Sequence, residues 1–298
     1  MAVYIATRVV RAIVLLIAVS IVSFVLFTAL SDANPAPGAS SGNFFDYLNA
    51  VLLHFNFGYS ARNHQSVLSL VVGRLPASLS LIAGAGLLAV AAAIPVGLVA
   101  AMRPGTRFER IAMRTTLGLV SMPAFWLGLI VLYLFASDIG KIPIFPGAGS
   151  YVGLTVNPGR WFTSLILPWL VLAAIEAAIY TRLVRGQLRA VMDEDYIASA
   201  RARGVAEPRV VWRHGAAAAL AALVAVLGLD LGGLIGGAVL TETVFRIHGI
   251  GLLGYDAVLH SDYATVQGMV LLAAMFIVVM NLIVDIGFAW LDPRVSVA

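Results

Sequence analysis

Asp193–His214 reads DEDYIASARARGVAEPRVVWRH, a polar, arginine-rich insert between two long apolar runs. Such an insert adds nothing to a membrane crossing, so it works outside the lipid. Its alanine-rich half predicts a short helix over Tyr196–Arg203, stopped at Gly204, the residue type that takes a left-handed cap at least cost. Pro208 predicts a restart, because proline is tolerated in a helix's first turn. Tyr196, Ile197, Ala200 and Val205 are expected to form a small apolar face, with Arg201, Arg203 and Arg209 around it. Two readings fit: a compact amphipathic knob that receives force from a soluble motor, or an ordinary positive cytoplasmic loop.

The apolar runs on either side set the class. Hydrophobic residues make up 61% of the chain and charged residues 11%. A bilayer core about 30 Å thick needs roughly 20 apolar residues per helical span. Six segments meet that need: Arg11 to Asp32, Arg74 to Arg103, Arg114 to Asp138, Arg160 to Arg182, Gly215–Thr241 and Ala264–Leu291. The expected fold is an all-α polytopic membrane protein with six transmembrane helices. Its parts are an N-terminal span in 1–30, an extracellular segment in 31–74, and a five-helix core in 75–298 that contains the 193–214 insert. Within 31–74, the Pro/Gly/Ser-rich SDANPAPGASSGN precedes FFDYLNAVLLHF, which is too short to cross and predicts an amphipathic surface helix. Ser137–Arg160, with Pro143, Pro146, Gly147, Gly149, Pro158 and Gly159, predicts an irregular outer loop.

Basic residues orient the bundle. With a cytoplasmic N-terminus, Arg8, Arg11, Arg103, Arg107, Arg110, Arg114, the seven arginines from Arg182 to Arg213, and Arg294 lie inside. Arg62, Arg74, Lys141, Arg160 and Arg246 lie outside, and six crossings return the C-terminus to the cytoplasm. The net charge of +4 is then a topology signal rather than a nucleic-acid footprint. The first apolar run is too long for a signal-peptide core and reads as a retained helix. Abundant arginine and alanine with a single lysine are a compositional hint of a GC-rich bacterial genome.

Catalytic and metal chemistry find little support. The chain has no cysteine, which removes thiol chemistry and Cys-based metal sites. Its sole lysine, Lys141, sits in DIGKIP, not in a Walker A loop whose amides and lysine cradle phosphates. The five histidines show no metal-ligand spacing on one helix, and neither G-x-S-x-G nor H-E-x-x-H occurs.

The fifth span is the most unusual. Gly228, Gly232 and Gly236 recur every four residues, a small-xxx-small stripe that lets helix backbones approach closely in lipid. The stripe serves either a subunit interface or closing pathway, or packing within the chain's own bundle. Intramembrane acids are costly and need partners. Asp230, among those glycines, is expected to face protein or a water-filled cavity. Glu176 and Asp285 lie about six residues from the cytoplasmic ends, within reach of the interface or an arginine. Together with Glu242, just past the fifth span, these residues are the pathway or packing candidates.

Several motifs match a known family in order along the chain. LTETVF (Leu240–Phe245), DYATVQG (Asp262–Gly268), NLIVD (Asn281–Asp285) and DPRV (Asp292–Val295) resemble the C-terminal motifs of bacterial ABC importer permeases, above all the dipeptide/oligopeptide permeases of the DppB/OppB kind. DEDYIASARARG resembles that family's cytoplasmic coupling loop, the counterpart of the general "EAA" motif. IPVGLVAA (Ile94–Ala101), SMPAFWLG (Ser121–Gly128) and NFGYS (Asn56–Ser60) add weaker matches. The resemblance implies the type I ABC importer permease fold with a cytoplasmic coupling helix, and assigns ATPase coupling to Tyr196, Ile197, Ala198, Ser199, Ala200, Arg201, Arg203 and Gly204. It implies a second homologous permease subunit, two ATPase subunits that carry ATP and Mg, an extracellular substrate-binding protein, and no cofactor or enzymatic activity of this chain's own. The location implied is the bacterial cytoplasmic membrane, and the cargo is a short peptide, with haem, nickel chelates or another small solute as alternatives within the family.

The chain also departs from the family pattern. Its segment after the first helix is shorter than usual. Arg246-Ile247-His248-Gly249 replaces Ser-Trp-Pro-Gly, the alanine run Ala216–Ala222 replaces an Asn and a Pro, and the EAA glutamate position is Ala198. A reading from a different class is a proton-coupled secondary transporter working through Glu176, Asp230 and Asp285; it accounts for the acids but leaves the 193–214 insert without a purpose.

Overall fold

A computed structural model describes residues 2–33, 43–60 and 62–291, with side chains outside 2–6, 9, 12, 30–33, 52, 228–237 and 280–291. Helices dominate: α1 (Ala2–Ala33), α2 (Phe44–His54), α3 (Val67–Met102), α4 (Arg107–Val120), α5 (Ala124–Phe135), α6 (Pro158–Met192), α7 (Asp195–Ala202), α8 (Glu207–Arg209), a π-helical turn (Val210–Gly215), α9 (Ala216–Phe245), α10 (Ile250–Leu259) and α11 (Tyr263–Leu291). A two-stranded antiparallel hairpin, β1 (Tyr59–Ser60) and β2 (Gln65–Ser66), precedes α3, with Tyr59 opposite Ser66. Among the described residues, three helices are long and apolar enough to cross a membrane: Val67–Met102, Pro158–Met192 and Glu207–Leu227. A fourth crossing results if α4 and α5 count together. Shorter apolar stretches at Ile13–Ala29 and Tyr263–Val279 occupy the first and last expected spans.

The third expected span, Arg114 to Asp138, is not one straight helix. It breaks at Ser121–Pro123, and α4 and α5 meet at a 105° bend. Pro123 has no amide hydrogen to continue the ladder and disfavours helical geometry in Met122 before it. α5 then starts afresh with Pro123 as its extended N-cap.

Packing divides the chain into two compact units that do not follow chain order: one of Met1–Ser78, Leu231–Gly233 and His248–Ala298, the other of Leu79–Asp230 and Leu234–Ile247. In the first unit α1 packs along α11. A core of Val51, Phe57, Val67, Leu70, Val71, Leu253 and Leu271 joins α2, the hairpin, the start of α3, α10 and α11. Beside it, the Asp262 carboxylate accepts from the Ser60 hydroxyl at 2.5 Å and the Thr265 hydroxyl at 2.8 Å. Ser60 Oγ in turn accepts from the Asn63 amide at 3.0 Å, which ties the hairpin to the head of α11. Gly268 permits this approach, because a Cβ there would lie 2.6 Å from Val67 and 2.9 Å from the Phe57 carbonyl.

In the second unit α6 is the central post, packed by α4 and α5. Trp169 donates its indole N–H to the Ser80 carbonyl at 2.9 Å and packs directly against Gly84, where a Cβ would collide with its ring. The segment after α5 is more ordered than its glycines and prolines imply. It turns back to cap that helix, with the amides of Lys141, Ile142 and Phe145 donating to the carbonyls of Tyr133, Leu134 and Phe135. With 35 residues, α6 is about 52 Å long at ~1.5 Å per residue, well beyond a ~30 Å hydrocarbon core. The helix is therefore longer than a bilayer core requires, and the 193–214 segment follows directly on its end.

Candidate functional site: the projecting segment of α6 to α9

α7 begins one residue after a tight turn, with Glu194 as an extended N-cap and Asp195 in the first turn, where a carboxylate suits the helix dipole. It ends in a Schellman motif: the Gly204 amide donates to the Arg201 carbonyl at 2.9 Å and the Val205 amide to the Ala200 carbonyl at 3.2 Å. Gly204 takes φ +78° there, and no atom lies within 4 Å of its missing Cβ, so conformation rather than space selects glycine. The chain restarts at α8 with Pro208 in its first turn, then passes through one π-helical turn into α9. The extra residue of a π turn re-aims the backbone. Here it swings Gly215 against Leu188 and Met192 of α6, where a Cβ would meet them at 2.7 and 3.0 Å.

The underside of this knob is its own small core. Ile197, Ala200 and Val210 are buried against Val191, Met192 and Val205. Tyr196 does not share that face: it is 48% exposed. At 100° per residue, Ile197 and Ala200 turn inward while Tyr196 sits at their edge. Ala198, Ser199, Ala202 and Arg203 are exposed with it, leaving a low outer face of three small residues bordered by a tyrosine and an arginine. Ala200, expected at a partner contact, instead belongs to the knob's seat. Arg201 clasps Glu207 with two hydrogen bonds, at 3.0 and 2.7 Å, and so closes the two helices around Gly204. That carboxylate holds the Arg201 guanidinium above its ordinary pKa, chiefly by the hydrogen bond. Both groups are exposed, and such pairs add little to stability.

The knob is anchored by a residue that the sequence reading passed over. Glu109, in the first turn of α4, is buried and accepts from four donors. The Gly105 amide reaches Oε2 at 2.6 Å, while Arg185 Nε at 2.9 Å, a second Arg185 nitrogen, and Arg189 at 2.7 Å reach Oε1. Thr106, the N-cap of α4, accepts from the Glu109 amide at 3.3 Å. The cue was present: Thr106–Glu109 has capping-box spacing, and Arg185 and Arg189 stand four apart on one helical face. A groove of about 670 Å³ opens beside the knob, with Met102, Leu188, Met192 and Trp212 as apolar walls and Arg189 and Arg201 at its polar edge.

The remaining candidates fall out unevenly. Glu242 is 0% exposed at the end of α9, with its carbonyl accepting from the Ile247 amide at 2.9 Å, so it is sealed within the protein. Glu176 is half-buried on α6 and engaged with protein groups. Asp230, Gly232, Gly236 and Asp285 lie outside the residues whose side chains are described, as do Asp292–Val295.

Residues 93–297 match the family described as binding-protein-dependent transport system inner membrane component, and the chain belongs to that family. It is 32% identical over 318 aligned positions to the oligopeptide transport system permease protein AppB of Bacillus subtilis, covering 99% of this chain and all of the relative. It is 34% identical over 263 positions to the dipeptide transport system permease protein DppB of Escherichia coli, covering 82% of this chain and 78% of the relative. A permease protein of Brucella abortus named for a peptide transport system is 38% identical over 248 positions, covering 82% of this chain and 76% of the relative. The chain is thus a helical, multi-pass inner-membrane permease component, a role that is itself non-catalytic.

Proposed function

We propose that this chain is one of two permease subunits of an ATP-driven importer of short peptides. In this reading two separate ATPase subunits bind ATP and Mg, a binding protein delivers cargo from outside, and a second permease subunit completes the pathway. Six crossings place both termini in the cytoplasm, consistent with the bias of arginines toward the 193–214 side. The carrying observation is the two-faced knob. Its inner face is bolted to the end of α6, and its outer face of Ala198, Ser199 and Ala202 is exposed and small enough for close approach by another protein. A push on that face moves α6 and, through the π turn, α9, which exchanges access to the pathway between the two sides. The relatives' peptide-transport names support the cargo class. Proton-driven transport through Glu176, Asp230 and Asp285 would leave the knob's outer face without a role.

Co-reconstitution with the partner subunits in vesicles tests this directly. Uptake of a labelled dipeptide should require ATP and the binding protein, and a proton gradient alone should not support it. Ser199→Trp should abolish ATP-driven uptake while the two permease subunits still copurify, because the tryptophan projects away from the knob's core. Full uptake by Ser199→Trp would remove the docking role.

A further inference from the structure

α4 is the most amphipathic helix of the chain and has three faces. Glu109 and Thr116 turn inward against α6, which fixes the helix's rotation. Arg107, Arg110 and Arg114, spaced as one stripe on the opposite side, are all exposed. No ion pair among the described residues involves them. On one side of the stripe Phe108 is 42% and Ile111 64% exposed, and on its other side Leu117 and Val120 are exposed as well. The 105° bend sets α4 nearly perpendicular to α5, so if α5 stands along the membrane normal, α4 lies close to its plane.

From this geometry we infer that α4 is an interfacial helix that holds anionic phospholipid at the membrane surface. Phe108 and Ile111 enter the acyl boundary, and Arg107, Arg110 and Arg114 take the phosphate groups. Length supports this depth. α5 has 12 residues, about 18 Å, short of a ~30 Å core. A helix sunk about 5–10 Å below the surface makes up most of the shortfall. Three arginines with no ion-pair partner among the described residues, beside exposed aromatic and aliphatic side chains on a helix lying across the next one, have the make-up of a helix seated in an anionic lipid interface. Under the proposed topology the leaflet is the cytoplasmic one, where anionic headgroups attract basic helices. The lipid contact itself rests on the bend and the exposed faces, not on the cargo.

The test places a bimane label at Ile111→Cys, the single cysteine this chain then carries, by labelling the purified chain before the partner subunits are added. The complete complex is reconstituted in an equal mixture of phosphatidylcholine and phosphatidylglycerol with only one of the two brominated at a time. Both should quench the label, with brominated phosphatidylglycerol the stronger. Each arginine at an anionic surface is worth about fivefold in partitioning, so the triple change Arg107→Gln, Arg110→Gln and Arg114→Gln should erase that preference. The triple lysine version should keep it, which separates charge from any fault in folding. Absence of quenching by either lipid would mean that protein covers this face, and equal quenching in the unmodified stripe would mean that charge selects nothing. Either result overturns the inference, and neither depends on peptide transport.

Discussion

Two buried carboxylates each tie a helix to distant chain, and they do so in opposite ways. Asp262 uses short hydroxyl donors, Ser60 and Thr265, both 0% exposed, and is itself buried. Glu109 uses long guanidinium donors whose other ends remain a quarter to a third exposed, with side-chain exposures of 25% for Arg185 and 35% for Arg189. The first joint is neutral on the donor side and dry; the second is ionic and partly wet. A dry joint between short side chains is rigid and costly to break, because no water replaces the lost bonds. An ionic joint with long arms holds charge balance through small displacements. The Glu109 joint lies at the root of the knob, where the proposed coupling would need displacement, and the Asp262 joint fixes a hairpin to a helix head.

The contrast can be broken from either end. Asp262→Ala has the largest expected effect, about 2–4 kcal/mol, since it strands two buried hydroxyls and removes the cap of α11. Thermal melting of the purified protein should show it, and a loss below about 1 kcal/mol would mean that water already satisfies the site. Glu109→Gln should unsettle stability less than Asp262→Ala does but lower uptake per ATP hydrolysed several-fold, because Arg185 and Arg189 lose their common counter-charge at the knob's root. Equal uptake per ATP in both proteins would demote the Glu109 joint to an ordinary structural pair. Gly204→Ala is the mildest, about 1 kcal/mol from forcing a side chain into the left-handed region. Its open surroundings predict that Gly204→Asn, more tolerant of that backbone, recovers part of the loss in a melting comparison.

Much of the knob was legible in order along the chain. Gly204 and Pro208 act on the backbone within a residue or two, so the stop and restart could be placed before any packing was known. The inward turn of Ala200 and the outward turn of Tyr196 could not, because both are tolerable on either side of an eight-residue helix until α6 supplies a wall. The sequence reading runs one span straight through Pro123; the break and its 105° angle depend on what α4 and α5 each pack against. NFGYS and DYATVQG were read as separate motifs, and Ser60 and Asp262, 202 residues apart, carry no local signal of their partnership.

By itself the amino-acid sequence determined the membrane class, the positions of the apolar segments, the projecting arginine-rich insert and its glycine-ended helix. Hydrophobic length and backbone sterics act over short stretches and tolerate few alternatives. Only the tertiary structure decided which face of the insert is seat and which is surface, that Glu109 gathers Arg185 and Arg189, and that α4 turns across the line of α5. Those outcomes arise from side chains far apart in sequence competing for the same buried space, where a polar atom left without a partner costs more than almost any local preference.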